Sequence, residues 1–260
     1  MQQNSRLQAS DSSRRQFVAS LSHDLRTPLM ALQNYLETLQ AKNSTLSAVS
    51  KKEFIAQANK QCARLGHLIN QLFELSKLNS PDIQLQHERF SMLELVYDCM
   101  QEFLLMCKDR NLNLQVIVDD EDSGYEVNAD IAAIQRVLEN LIGNAVKYTN
   151  AKGNIHIALS RPTDSDVELT IQNSGVVLSD EQLQSLFDVH SKNYYAKGTD
   201  KDGCLKTGGL GLLIVKRIMD LHGSNIHVES GAGYGVRFRF NLPAVAAREY
   251  KAPVKIAMSA

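Results

Sequence analysis

The segment Ser22–Leu29, SHDLRTPL, sets His23 beside Asp24 and one helical turn before Thr27. An aspartate next to an imidazole accepts a hydrogen bond from one ring nitrogen, which fixes the tautomer and makes the other nitrogen the more basic, as a nucleophile requires. Thr27 falls on the same helical face, where its hydroxyl can hold a water beside whatever the imidazole carries. Pro28 lacks an amide hydrogen and crowds the carbonyl of residue 24, so the helix is expected to bend or loosen beside His23. At about 100° per residue, His23 lies roughly 200° around the helix from Leu21, and its ring should face solvent. The plainer alternative is a kink motif with an incidental histidine. Asp24, Thr27 and Pro28 together weigh against it.

A second group sits in RVLENLIGNAVKYT. Val137, Leu138, Leu141, Ile142 and Ala145 form an apolar helical face, while Asn140, Asn144, Lys147 and Tyr148 gather on another at spacings of three and four. Asparagine is a mediocre helix former, so two of them one turn apart point to a task beyond propensity. An amide oxygen is a hard, uncharged ligand suited to Mg²⁺ bridging phosphates, and Lys147 can meet phosphate oxygens directly. Further on, IQNSGVV (171–177) ends a strand, and Gly208, Gly209 and Gly211 open a helix. Glycines there let backbone amides approach a phosphate where the helix dipole favours negative charge. The intervening stretch Ser191–Thr207 has little periodicity and reads as a lid-like loop.

These groups need elements to hold them. Phe17, Leu21, Leu25, Leu29, Leu32, Leu36 and Leu39 recur at threes and fours, predicting a helix over Asp11–Gln40, roughly 42 Å long. Lys42–Lys51 reads as a connection, and Ile55, Ala58, Cys62, Leu65, Ile69, Leu72 and Leu75 mark a second helix that Ser80-Pro81 stops. Two such narrow stripes cannot enclose a core alone, so a dimeric four-helix bundle is expected. After Pro81 the pattern turns to mixed α and β. Leu114–Val118, Ile155–Ser160, Val167–Gln172, Asn225–Glu229 and Val236–Leu242 have strand character, with helices near Met92–Arg110, Asp130–Thr149 and Leu210–His222. The expected class is therefore α+β: an N-terminal αα-hairpin followed by an α/β sandwich with helices on one face of a mixed sheet.

In these ordered motifs the chain resembles the sensor histidine kinases of two-component signalling, over roughly Arg15 to Pro243. SHDLRTPL resembles the H box, ENLIGNAVKYT the N box, GGLGLLIVKRIMDLHG the second glycine box, and SGAGYGVRFRFNLP the closing strand hairpin. The resemblance implies a dimerisation and phosphotransfer domain over 11–80 and a catalytic ATP-binding domain over 81–243. Residues 1–10 are then the end of an upstream helix and 244–260 a tail. It implies His23 as phosphoacceptor, Asp24 as its general base, and Thr27 as the residue orienting water in phosphatase action. It also implies Asn144 as a Mg²⁺ ligand, with Asn140, Lys147, Tyr148, Asn173, Gly175, Phe187, Gly208, Gly209, Leu210, Gly211 and Leu212 around ATP. Where related ATPases carry their own hydrolytic glutamate, this chain has Asn140.

Two boxes depart from the family pattern. The first glycine box normally reads Asp-x-Gly-x-Gly, and that register here holds Asn173, Ser174, Gly175, Val176 and Val177. Asn173 can accept from the adenine amino group without a carboxylate's charge, a difference of about 1 kcal/mol. Val177 replaces a glycine and would be strained wherever the backbone needs a positive φ. In the F box Phe187 is present, with His190 where a second aromatic is common. The alternative function is a nucleotide-impaired member serving its response regulator as a dimeric binding module or phosphatase.

The whole-chain arithmetic agrees. Twenty-eight Lys+Arg against 29 Asp+Glu leave a net charge of −1, unlike a protein devoted to neutralising nucleic-acid phosphates. Cys62, Cys99, Cys107 and Cys204 show no CxxC spacing and read as reduced thiols. No run approaches the roughly 18 apolar residues of a membrane span. The expected partners are a second copy and a response regulator's receiver domain, without nucleic acid or membrane contact by this chain. The expected place is the cytoplasm, with the parent protein anchored in the bacterial inner membrane.

Overall fold

The computed structural model describes residues 2–42, 44–119, 124–187 and 210–245. In chain order the elements begin with α1 (Gln2–Ala41), α2 (Ala48–Leu78), β1 (Glu88–Ser91), α3 (Met92–Asp109), β2 (Asn113–Val118), β3 (Glu126–Ala129) and α4 (Ile131–Tyr148). They continue with β4 (Asn154–Thr163), β5 (Asp166–Asn173), α5 (Asp180–Ser185), α6 (Leu210–Leu221), β6 (Ile226–Gly231) and β7 (Gly235–Pro243). The chain divides into two compact units, Met1–Ile83 with Ser179–Arg217, and Gln84–Leu178 with Ile218–Ala260.

In the first unit α1 and α2 form the expected hairpin. The first helix starts earlier than its apolar stripe, at Gln2 instead of Asp11, because polar residues extend a helix without announcing it. The second also starts early: Ser47 caps it by accepting from the Ser50 amide, so the connection is shorter than Lys42–Lys51. Pro28, Ala58, Leu68, Leu75 and Leu78 are buried, and the Tyr35 and Phe54 rings meet at 6.0 Å between centroids. Leu29, Leu36, Ile55, Ile69 and Phe73 remain exposed. One hairpin therefore leaves much of its apolar surface in water, as the narrow stripes predict. The short α5, which no periodicity marks, is held by a capping box between Ser179 and Gln182.

The second unit carries a five-stranded mixed sheet in the order β2-β4-β5-β7-β6. β2 pairs parallel with β4, and every other pairing is antiparallel. One face is buried: Ile155, Ile157 and Leu159 of β4, Val167, Leu169 and Ile171 of β5, and Phe238, Phe240 and Leu242 of β7. Each such side chain contributes about 1.5–3 kcal/mol by leaving water. Against it α4 turns Ile134, Val137, Leu138, Leu141, Ile142, Ala145 and Val146, all buried, and α3 packs on α4. All five predicted strands are present. Two four-residue strands, β1 and β3, were not expected; they pair with each other in a separate two-stranded sheet. Cys99 and Cys107 are buried, and burial pushes the Cys99 thiol up to about 12, keeping it protonated. Cys62 is exposed, and Cys204 lies outside the described residues.

Candidate functional site

On α1 the His23 side chain is 63% exposed and Asp24 only 15%, with Nδ1 and Oδ1 3.5 Å apart. A proton held on Nδ1 by this carboxylate leaves the lone pair on Nε2, the arrangement a nucleophilic imidazole needs. Burial raises the Asp24 pKa above its ordinary 3.8, opposed by the hydrogen bond and charge of His23 and by Arg64. The carboxylate is thus a somewhat stronger base than a solvated aspartate. Thr27 is half-buried, and its hydroxyl donates to the His23 carbonyl at 3.2 Å. That bond fixes the rotamer and leaves the oxygen's lone pairs to accept from a water. The helix continues through Pro28, which offers no amide hydrogen to the Asp24 carbonyl.

In the other unit, α4 aligns Asn140, Asn144, Lys147 and Tyr148 along one side. Both asparagines are half-buried, the lysine and tyrosine exposed. Asn140 donates to the Arg136 carbonyl at 2.8 Å, so its amide is turned back along the helix. The Lys147 ammonium stands 5.1 Å from the Tyr148 ring centroid, a cation–π contact that keeps both at the helix end. Arg110, which no local pattern marks, closes this end from outside. Its guanidinium donates to the carbonyls of Val146, Lys147 (3.4 Å) and Thr149 (2.8 Å). A cation there satisfies helix carbonyls that have no amide partner and sits favourably in the dipole.

The end of β5 meets the end of α4 through a bridge between Thr149 and Gly175. Asn173 continues the inward alternation of β5 and is 5% exposed, and its Nδ2 has no hydrogen-bond partner among the described residues. An unpaired buried amide donor costs about 1–3 kcal/mol. A side chain on Gly175 would lie 2.7 Å from both Asn173 Nδ2 and the Tyr148 carbonyl oxygen, so only glycine lets the three approach. Gly235, at φ +75°, brings the start of β7 equally near: a methyl built on it falls 2.2 Å from the Asn173 carbonyl oxygen and 2.4 Å from the Gly175 nitrogen. Ser230 joins the cluster, accepting from the Leu178 amide and donating to the Gly235 carbonyl. Val176 and Val177 are exposed and neither has a positive φ, so valine sits there without the strain considered from sequence.

The structure thus brings Asn140, Asn144, Lys147 and Tyr148 onto one helix, with Asn173 and Gly175 at its C-terminal end. His23, Asp24, Thr27, Phe187, Leu210, Gly211 and Leu212 belong to the other unit. There Phe187 is half-buried, Leu210 and Leu212 are buried, and Gly211 occupies the first turn of α6. Gly208, Gly209, His190 and the Ser191–Thr207 loop lie outside the described residues, as does the tail beyond Val245. Among the described residues no group of three or more His, Cys, Asp or Glu could hold a metal by itself.

Comparison with known proteins gives the site its context. Residues 13–81 match the His Kinase A (phospho-acceptor) domain, and residues 129–246 match the histidine kinase-, DNA gyrase B- and HSP90-like ATPases. Drug sensory protein A of Synechocystis sp. is 34% identical over 240 residues, covering 87% of this chain and 34% of that protein. The sensor histidine kinase WalK of Bacillus subtilis is 31% identical over 238 residues, covering 90% of this chain and 37% of WalK. The chain therefore spans about a third of the length of these relatives. Histidine kinase ThkA, in its complex with response regulator protein TrrA, shares the fold at a TM-score of 0.69 and 23% identity, covering 92% of this chain and 64% of that one.

Proposed function

The chain belongs to the sensor histidine kinases of two-component signalling, and from that premise we propose that it phosphorylates His23 from ATP and passes the phosphoryl group to an aspartate of a response regulator. The observation that carries the proposal is the exposed imidazole of His23 with the sheltered Asp24 carboxylate against its Nδ1. Nε2 attacks the γ-phosphorus in line; the new N–P bond forms as the bond to the bridging oxygen breaks and ADP leaves. Asp24 holds the Nδ1 proton and stabilises the ring as charge develops. Asn140, Asn144, Lys147 and Tyr148 bind the nucleotide with Asn173 and Gly175.

Mg²⁺ fits this donor set. It keeps most of its waters and takes few protein ligands alongside phosphate oxygens, so one amide oxygen from Asn144 suffices and no acidic cluster is needed. When bound, it neutralises charge on the β- and γ-phosphates.

Thr27 serves the reverse traffic, orienting the water that hydrolyses a partner's aspartyl phosphate. Leu29, Leu36, Ile55, Ile69 and Phe73, left exposed by the hairpin, supply the apolar seam of a homodimeric four-helix bundle. Residues 11–80 form the dimerisation and phosphotransfer domain and 81–243 the ATP-binding domain; the family matches to 13–81 and 129–246 fall almost wholly within these two ranges. Among the described residues no helix is long and apolar enough to cross a membrane, and we place this portion in the cytoplasm beneath a membrane-anchored parent.

The test is labelling with γ-labelled ATP. Wild type should take up an acid-labile, base-stable label, and His23→Ala none; label persisting in His23→Ala refutes the assignment. A second reading, a nucleotide-impaired binding module or phosphatase, draws on the missing carboxylate at Asn173. Calorimetry with an ATP analogue separates the two, since micromolar binding favours the kinase and millimolar or absent binding the module.

A further inference from the structure

His222, the residue after α6, is held through both ring nitrogens. Nε2 accepts the Asp130 amide hydrogen at 3.1 Å, and Nδ1 donates to the Ile218 carbonyl at 2.8 Å. An acceptor at Nε2 with a donor at Nδ1 defines the neutral ring, so this geometry has no place for a second proton. Asp130 is the other half of the joint. Its Oδ1 caps α4 by accepting from the Ala133 amide at 3.0 Å, and its Oδ2 accepts from the Gln86 amide at 2.9 Å. Gln86 lies in the stretch between α2 and β1. Its neighbour His87 sets Nδ1 3.4 Å from the Asn128 carbonyl and its ring centroid 5.4 Å from that of His222. Three contacts thus hold residues 86 and 87, and all of them end on residues 128–130 or on His222.

A proton on His222 disturbs each of these contacts. Nε2–H would face the Asp130 amide, donor against donor, and the charged group able to take it is the Asp130 carboxylate, whose attraction already acts on the ring. To accept from Nε2 that carboxylate must turn away from Ala133 or from Gln86. Leaving Ala133 uncaps α4, whereas Gln86 is exposed and its amide can be taken over by water, so Gln86 is the partner given up. His87, the other ionisable group acting on His222, adds like-charge repulsion between the rings once both carry protons. Burial of the half-buried His222, with His87, keeps its pKa below the ordinary 6.5 against the opposite pull of Ile218 and Asp130, so the contacts stand at neutral pH.

We infer that His222 and Asp130 form a proton-operated clasp on the stretch between α2 and β1, which holds Gln86 and His87 at neutral pH and releases them in mild acid, lengthening the free connection between the two units. The clasp involves neither His23 nor the nucleotide residues, so it stands or falls apart from the phosphotransfer reading.

Amide hydrogen exchange of the full chain, followed by NMR at two pH values and corrected for the intrinsic pH dependence of exchange, tests it. A ring that takes a proton at about 6.5 only when the clasp is open favours opening by about tenfold between about pH 7.5 and 5.5. Protection of the Gln86 and Asp130 amides should therefore fall by about tenfold over that range. Because a local opening exposes little surface, low urea should leave their exchange unchanged while speeding that of Leu138 and Leu169 in the core. In His222→Gln the side-chain oxygen accepts from Asp130 at any pH, and protection of both amides should be the same at the two pH values. Equal protection at both pH values in wild type overturns the inference, whatever the variant does. So does a pH-dependent loss that survives in a folded His222→Gln. Exchange of Gln86 that rises with urea in step with Leu138 and Leu169 also overturns it, since only global unfolding then opens the contacts.

Discussion

Gly235 and Gly233 separate two effects that glycine substitutions usually mix. Both have positive φ, +75° and +98°, but a methyl on Gly233 meets nothing within 4 Å while one on Gly235 strikes two backbone atoms at 2.2 and 2.4 Å. Gly233→Ala therefore carries only the left-handed penalty, about 1–2 kcal/mol, partly offset by the lower entropy of an alanine-containing unfolded chain. Gly235→Ala carries the same penalty plus a forced separation of β7 from the Asn173–Gly175 turn by most of an ångström, and overpacking of that kind costs about 1–3 kcal/mol more. The totals are about 1 and about 3 kcal/mol, which for a domain of this size lower Tm by about 3 and about 9 °C. Because the displaced atoms adjoin Asn173 and Tyr148, Gly235→Ala should also weaken ADP binding at least about tenfold, and Gly233→Ala should not. Differential scanning calorimetry and nucleotide titration of both variants read this directly. If Gly235→Ala melts no lower than Gly233→Ala, the close backbone crossing is not what positions the end of β5.

Arg110→Ala removes two well-formed charge-assisted hydrogen bonds and one long one from the end of α4. It should cost about 2–3 kcal/mol, visible as faster amide exchange in the last turn, with Arg110→Lys only partly restoring protection. His222 accepts the Asp130 amide hydrogen on Nε2 and bonds the Ile218 carbonyl through Nδ1, and burial together with His87 lowers its pKa, against the opposite pull of Ile218 and Asp130. The unfolded chain takes up a proton at about 6.5 that the folded one refuses, so stability present above that pH should fall as pH drops below it. Tm should therefore decline between about pH 7 and 5.5 in wild type and less in His222→Gln. Asp24→Asn should slow labelling of His23 by about 100-fold, read as the initial rate of label uptake from γ-labelled ATP.

The long elements could be read from sequence because their side chains repeat often enough to declare a period. Leu21 to Leu39 marks α1, and the inward alternation Ile155, Ile157, Leu159 marks β4. β1 and β3, four residues each, are too short to show alternation, and α5 is a single capped turn and a half whose only signal is Ser179 three residues before Gln182. The chemistry-bearing residues on α1 and α4 were legible for the same reason as the helices: spacing along one helix fixes a shared face. Arg110 and Gly235 were not. Arg110 acts on carbonyls 36 to 39 residues away, and Gly235 matters only because β7 returns beside the end of β5. Such contacts belong to the topology and leave no trace in the local pattern.

Pro28 makes the turn around His23 the mechanically softest stretch of α1. Bending a helix stretches its i to i−4 hydrogen bonds, and between residues 28 and 24 there is none to stretch. A torque delivered along the N-terminal half of α1 should concentrate there, just as a notched rod yields at the notch. The residue proposed to carry the phosphoryl group sits on that notch, so its orientation is the first thing a distant strain on this helix would change.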